Sequence, residues 1–234
     1  MNIAIIPARG GSKRIPNKNI NEFCGKPIIA WSIEAAIKTK LFDKVIVSTD
    51  SKKIAKIAKE YGAEIPFFRP KNLSDDHTET AEVVKHAIQW MNSRSFEIKF
   101  VCCIYAPAPF VKAIDLNIAY KKLVNSKKSF VFSVTSFAHP VQRSLYINQA
   151  GEINAMSPEY NRIRSQDLER GYHDAGQFYW GRSEAFLENR EIFSSESLPL
   201  FIPRYRVCDI DEPNDWLYAE LMFEALINAG EITV

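Results

Sequence analysis

No apolar run in this chain approaches the roughly 20 residues that a membrane-spanning helix needs. The net charge is only +2, which does not suggest bulk binding to nucleic acid. Cysteine is scarce: Cys24, Cys102, Cys103 and Cys208 show no metal-ligand spacing. Adjacent Cys102 and Cys103 sit inside an apolar strand pattern, which predicts reduced core thiols and not disulfides. The nine glycines form neither G-x-x-x-x-G-K-[ST] nor G-x-G-x-x-G, so two familiar phosphate loops are excluded. An NAD-dependent oxidoreductase falls with the second of them. There is no internal repeat and no low-complexity segment. The chain starts directly with a core strand, leaving no room for a signal peptide. Together these absences predict a cytosolic protein with neither membrane nor nucleic acid as its partner.

One further absence points to what is there. No acid precedes Glu22, yet the stretch IAIIPARGGSKRIPNKN (Ile3 to Asn19) carries Arg9, Lys13, Arg14 and Lys18. Its first residues, Ile3 to Ile6, read as a buried strand. Cations this close repel one another unless an anion sits among them. Gly10 and Gly11 let the backbone approach such an anion and aim N–H groups at it. Pro16 blocks a helix directly after the glycines, so the loop is extended. A triphosphate fits it better than a protein partner; the bland alternative is a solvated basic turn.

With 234 residues, of which 46% are hydrophobic, the chain can bury the core of one α/β domain spanning residues 1–234. Apolar positions predict helices over Pro27 to Lys38 (Ala30, Ile33 and Ile37 on one side), around Ile54 to Tyr61, around Val84 to Met91 and around Leu116 to Leu123. Strands are expected at Lys44 to Val47, Phe100 to Ile104, Phe130 to Val134 and Gln177 to Trp180. A last helix is expected from Pro213 to Asn228, with Tyr218, Leu221, Met222 and Ala225 inward. This alternation predicts a mostly parallel, Rossmann-like sheet covered on both faces, with ligands beyond the carboxyl ends of its strands. From residue 136 to 171 the periodicity fades, and the stretch is too long for a plain loop. It reads as a hairpin or arm that contacts a second subunit.

Asp209-Ile210-Asp211 is the second strong signal. In extended backbone both carboxylates share one face while Ile210 points to the core. Such a pair suits Mg²⁺, a hard cation that prefers oxygen ligands. Alternatively Asp209 is structural and Asp211 helps cap the helix starting near Pro213. Asp50 reads as the cap of the helix that follows it, and Ser74, Asp75 and Asp76 as N-cap types for the helix after them.

The run A-R-G-G-S-K-R-I-P-x-K-N after an N-terminal strand resembles the signature of the CMP-sugar synthetases, the cytidylyltransferases that activate acidic sugars. The resemblance extends over nearly the whole chain, though patchily from Ser136 to Gly171. It implies that Arg9, Gly10, Gly11, Ser12, Arg14 and Lys18 hold the triphosphate of CTP with Asn19 beside it. Lys18 would be nearest the reacting phosphate, and Lys13 either joins it or is a solvated neighbour. It implies metal ligation by Asp209 and Asp211, and contacts to cytosine and ribose from Asp76 and Thr78. Arg9, Lys18 and Asp211 become the expected catalytic groups. Tyr105 stands where many sialic-acid synthetases have Gln. Arg164 and Gln166 match a stretch near the sugar, although a dimer-interface salt bridge would equally explain Arg164. Gly176 and Tyr179 match the family, while Ala175 replaces its Asn. Phe193 matches an aromatic that packs on an acyl substituent, a core role being the alternative. The string YHDAGQFYWG resembles the branch that activates pseudaminic acid, a bacterial nine-carbon sugar with two acylamino groups, used in flagellin glycosylation or surface polysaccharide. The implied enzyme is a Mg²⁺-dependent homodimer acting on CTP and an acidic nine-carbon sugar. Sialic acid, legionaminic acid and Kdo are alternative acceptors, and a non-catalytic nucleotide-binding regulator is the alternative from another class.

Overall fold

Continuous apolar runs form buried strands, and one-sided helices cover them. The computed structural model describes residues 1–232. In chain order the elements are β1 (Asn2–Pro7), β2 (Glu22–Phe23), β3 (Lys26–Pro27), α1 (Ile28–Thr39), β4 (Lys44–Ser48), α2 (Lys52–Glu60), α3 (Thr80–Asn92), β5 (Phe100–Ile104), α4 (Ala113–Val124) and β6 (Phe130–Ser136). They continue with β7 (Leu145–Ile147), β8 (Ile153–Ala155), β9 (Tyr172–Arg182), α5 (Ser183–Leu187), β10 (Ser197–Phe201) and α6 (Pro213–Asn228).

The central sheet has six strands in the order β10-β6-β9-β5-β1-β4. β9 runs antiparallel to both neighbours, and every other pairing is parallel. The expected α/β fold with a mostly parallel sheet is therefore what forms. Two apolar layers flank it. One gathers Ile6, Ile33, Val47, Cys102, Leu116 and Trp180, the other Ile5, Ile88, Val101, Cys103, Phe130 and Phe186. Cys102 and Cys103 thus face opposite sides of β5 as free, buried thiols, as expected.

Several local expectations need correction. On α6 the buried stripe is Ala219, Phe223 and Leu226, with Met222 partly covered; Tyr218, Leu221 and Ala225 are exposed. Phe23, Trp31 and Phe110 receive Phe223, which rotates the inward face by about one residue from the expected one. Ile37 is also exposed, at the end of α1. Ser51, not Asp50, caps α2, its Oγ accepting from the Ile54 N–H at 3.4 Å. Glu79 occupies the N-cap of α3, so Ser74, Asp75 and Asp76 cap no helix. Glu212 and Asp215 form a reciprocal capping box for α6, leaving Asp211 free of that duty.

Residues 136–171 form the β7–β8 hairpin and three short 3₁₀ turns, with Phe137 N–H bonded to the Gly171 carbonyl at their base (3.3 Å). The hairpin's apolar side chains face outward: Ile147 is 72% exposed and Ile153 71%.

Candidate active site

β1, β4 and β5 end side by side, at Pro7, Ser48 and Ile104. The segments leaving these ends enclose a cavity of about 270 Å³. Its lining includes Arg9, Ser12, Lys13, Arg14, Lys18, Asn19, Arg69, Asp76, Thr78, Tyr105 and Asp211. Nine of the expected site residues line it, from chain segments up to more than a hundred residues apart.

The basic loop is held from below. Ile15 is buried in a small apolar cluster with Phe23 and Ile210. Asn19 is buried, and its amide donates to the Arg9 carbonyl across the loop at 3.0 Å. Asn19 is thus a brace for the loop. The Gly10 N–H donates to Asp50 Oδ1 at 2.8 Å. A side chain at Gly10 would bring a Cβ to 3.1 Å from Ser51 Cβ, so glycine permits this close approach. Neither Gly10 nor Gly11 is among the residues lining the cavity. The anion that the Gly10 amide meets here is the Asp50 carboxylate of the chain itself.

All four loop cations find carboxylates. Arg9 pairs with Asp76 at 2.5 Å, and Lys13 pairs with the other oxygen of the same carboxylate. Arg14 meets Asp211 Oδ1 at 2.9 Å. Lys18 donates to the Ile210 carbonyl at 2.7 Å and reaches Asp211 Oδ1 at 3.3 Å. Mutual repulsion within the loop is thus offset by two acids from distant segments. Lys13 joins the cluster through Asp76, although its side chain is 80% exposed.

Ile210 is buried, as expected, and anchors the acidic segment. Upstream, Arg206 is clamped in a buried ion pair with Asp115 on α4 (2.7 Å), and its carbonyl accepts from the Gln177 amide at 2.6 Å. These contacts set the height at which Asp209 and Asp211 emerge. Burial and the adjacent Asp211 charge push the Asp209 carboxyl above the usual range. A carboxylate pair under such strain has the donor chemistry for a hard divalent cation. Among the described residues no group of three or more His, Cys, Asp or Glu side chains is placed to hold a metal.

The turn before α3 is ordered by Asp75, whose Oδ1 accepts from His77 N–H (3.0 Å), Thr78 N–H (2.8 Å) and Thr78 Oγ1 (2.7 Å). Arg69 lies beneath it. Its buried guanidinium donates to the Ser48 carbonyl at 3.0 Å and reaches the Leu73 carbonyl at 3.4 Å, while its Nε has no protein partner.

The residues expected at the sugar are divided. Tyr105 lines the cavity, and its hydroxyl lies 3.5 Å from that of Tyr179. Tyr179 stacks on Phe132 and donates to Asp174. Gly176 has a φ of +61° within β9, and its N–H donates to Asp174 Oδ1 at 2.9 Å. Phe193 lies on the far side of Phe132, with ring centroids 5.4 Å apart, in a separate cavity that Asp174 also lines. Arg164 is 73% exposed and pairs with Asp167 of its own turn at 2.8 Å. Gln166 borders another cavity at the base of the arm, with Phe137, His139 and Arg170. Within one chain Arg164, Gln166 and Phe193 therefore do not reach the phosphate loop's cavity.

Sequence reading missed Asp50 and Asp174 as site-forming groups. Asp50 stands just beyond the end of β4, which is a weak signal. Asp174 has none, because a strand bulge brings it into place.

Comparison with known proteins agrees with this geometry. The chain matches the Cytidylyltransferase family over residues 3–195. It is 44% identical over 223 residues to the pseudaminic acid cytidylyltransferase of Campylobacter jejuni, covering 95% of this chain and 96% of that one. It is 31% identical over 229 residues to the CMP-N,N'-diacetyllegionaminic acid synthase of Legionella pneumophila, covering 95% and 96%. A solved CMP:2-keto-3-deoxy-manno-octonic acid synthetase with CTP shares the fold, with a TM-score of 0.70 at 16% identity over 96% of this chain and 98% of that one. On the matched span and these identities, the chain belongs to the cytidylyltransferase family.

Proposed function

We propose that this enzyme transfers CMP from CTP to the anomeric 2-hydroxyl of pseudaminic acid and releases pyrophosphate. The observation that carries the acceptor is the similarity gap. The chain is 44% identical to a pseudaminic acid enzyme and 31% identical to a legionaminic acid one, at equal coverage of this chain. Pseudaminic acid in place of sialic acid also suits Tyr105 and Ala175, where this chain departs from the sialic-acid pattern.

The chemistry follows from the charges. A triphosphate entering the cavity competes with Asp76 and Asp211 for Arg9, Lys13, Arg14 and Lys18. Lys18 is the best fixed of these cations, because the Ile210 carbonyl holds its ammonium. It is our candidate for the group nearest the α-phosphorus, where charge accumulates during displacement. Arg9, Ser12 and Arg14 bind the rest of the triphosphate, with Asn19 holding their loop in place. Asp76 and Thr78 face the ribose and base. The anomeric oxygen bonds to the α-phosphorus as the bond to the departing pyrophosphate breaks, and Asp211 takes the hydroxyl proton. Asp209 and Asp211 would hold Mg²⁺, which when bound offsets phosphate charge. A binder without turnover has little need of such a pair, which disfavours a regulatory role.

Tyr105 forms the sugar side of the cavity with Tyr179 buried behind it, and Gly176 shapes the strand that carries Tyr179. For Arg164, Gln166 and Phe193 we propose a shared site: the 136–171 arm crosses to a second subunit in a homodimer, carrying Arg164 toward the sugar carboxylate. The outward apolar side chains of the hairpin support this. Among the described residues no helix is long and apolar enough to cross a membrane. Reduced, buried Cys102 and Cys103 fit a reducing cytoplasm.

The test is pyrophosphate release from CTP and Mg²⁺, with pseudaminic acid and N-acetylneuraminic acid side by side. Turnover with pseudaminic acid alone is expected. Turnover with N-acetylneuraminic acid alone overturns the acceptor, and turnover with no acidic nonulosonate overturns the reaction.

A further inference from the structure

Asp174 lies inside the YHDAGQFYWG string but received no role from it, yet it ends a chain of hydroxyls that begins in the nucleotide cavity. In regular strand geometry residues five apart lie on opposite faces, so Asp174 and Tyr179 should not meet. On β6, Phe132 and Val134 are two residues apart and share a face; their partners on β9 are Tyr179 and Asp174. β9 therefore bulges between them, and the bulge is built from Gly176 at φ +61°, a value that favours glycine. The Gly176 N–H returns to Asp174 Oδ1, which leaves Oδ2 for the Tyr179 hydroxyl.

Proton inventory gives this chain a direction. A carboxylate only accepts, so Tyr179 must donate to Asp174. The Tyr179 oxygen is then free only to accept, and Tyr105 donates to it across a long 3.5 Å contact. With its one proton spent, Tyr105 has only lone pairs to offer the cavity that it lines. Burial raises both phenols above their ordinary range, so both keep the protons this order needs.

We propose that Asp174 is a positioning residue for the acceptor sugar, acting through Tyr179 so that Tyr105 meets the sugar as a hydrogen-bond acceptor. The group it selects is a donor on the sugar, an acylamino N–H or a hydroxyl. The proposal rests on the reading that an acidic sugar binds beside Tyr105, but not on which sugar that is. An Asn at position 174 keeps the shape but offers a donor as well as an acceptor, and Tyr179 can then reverse and turn Tyr105 around.

The experiment is a double-mutant cycle on D174N and Y105F, with Y179F as a second entry into the same chain. Binding of the sugar to the CTP-loaded full-length enzyme is read by calorimetry in EDTA, so that no turnover is needed. D174N and Y179F should each weaken sugar binding about tenfold, the size of one directed hydrogen bond, with CTP affinity unchanged. D174N/Y105F should be no weaker than Y105F alone, because Asp174 acts only through Tyr105. Additive losses, or a D174N loss shared equally by CTP, mean a structural role and overturn the proposal. So does sugar binding within twofold of wild type in both D174N and Y179F. If the enzyme takes N-acetylneuraminic acid and not pseudaminic acid, the acceptor reading fails. The same cycle on N-acetylneuraminic acid then still decides the role of Asp174.

Discussion

The basic loop and the 136–171 arm are built by opposite designs. The loop is closed upon its own chain: Asn19 braces it, Asp50 takes its Gly10 amide, and Asp76 and Asp211 take its cations. The arm is open. Its hairpin turns Ile147 and Ile153 outward, and Arg164 is satisfied only by Asp167 within its own turn. A triphosphate carries several charges in a fixed spacing, which one prearranged cluster can match at low reorganisation cost. A sugar acid varies in substituents, and the elements expected to read it are placed on a structure that a second subunit can complete. On the proposed reading, the difference teaches that nucleotide recognition is finished by the folding of one chain, while acceptor recognition is only half assembled by it, at Tyr105 and Tyr179.

The largest effect that tests this contrast is at Asp211. Asp211→Asn should lower the rate of pyrophosphate release by about a hundredfold to a thousandfold, the scale for losing one preorganised charge contact. CTP binding measured without metal should persist, since Arg14 and Lys18 remain and lose a competitor. A variant that releases pyrophosphate at the wild-type rate would remove Asp211 from the chemistry.

The arm is tested next. Ile147→Glu combined with Ile153→Glu places charge on side chains that are already exposed, so the fold should be unaffected. Sedimentation should then show a monomer, with CTP affinity unchanged and acceptor turnover down by about a hundredfold, the cost of a misplaced binding group. If the wild-type protein is itself monomeric at working concentration, or the variant stays dimeric, the arm is not the interface. Full turnover by a monomeric variant would show that one chain holds a complete acceptor site, which would dissolve the contrast.

What was legible in the sequence follows the same division. β5 is continuous apolar sequence and begins and ends where its pattern says, because strands buried on both faces have no competing choice. The loop is legible because four cations in an acid-free stretch are conspicuous whatever the fold. Their partners are not: Asp76 and Asp211 arrive through tertiary folding, and nothing local marks which acid meets which base. The face of α6 was misread because Tyr218 and Leu221 are as apolar as Phe223. Only the pocket made by Phe23, Trp31 and Phe110 decides which ring turns inward. Asp174 was invisible for a sharper reason. Strand period places it opposite Tyr179, and the bulge at Gly176 reverses that.

The smallest expected effect separates two roles for Asp76. Its carboxylate pairs with Arg9 and Lys13, cations that a triphosphate also needs, yet the family resemblance assigns it to the ribose and base. If competition dominates, Asp76→Asn should leave CTP binding unchanged or tighten it by up to about tenfold. If contact with the nucleotide dominates, the loss should be of similar size. Calorimetry on CTP and on inorganic triphosphate tells them apart, because only CTP offers a ribose and base. Acid adds a second check. Hydrogen bonds from Lys13, then Arg9, hold the Asp76 carboxyl below its usual range. A depressed folded-state pKa means that the pair's contribution is complete above the unfolded value, about 3.9. It is lost only as pH falls below that value and through the folded one. Asp76 therefore stays charged through the neutral range. Its substitution should shift CTP affinity by the same factor at pH 7.5 and pH 9, above the titration of the terminal phosphate, and a factor that changes between them would mean that another titrating group lies between Asp76 and the nucleotide.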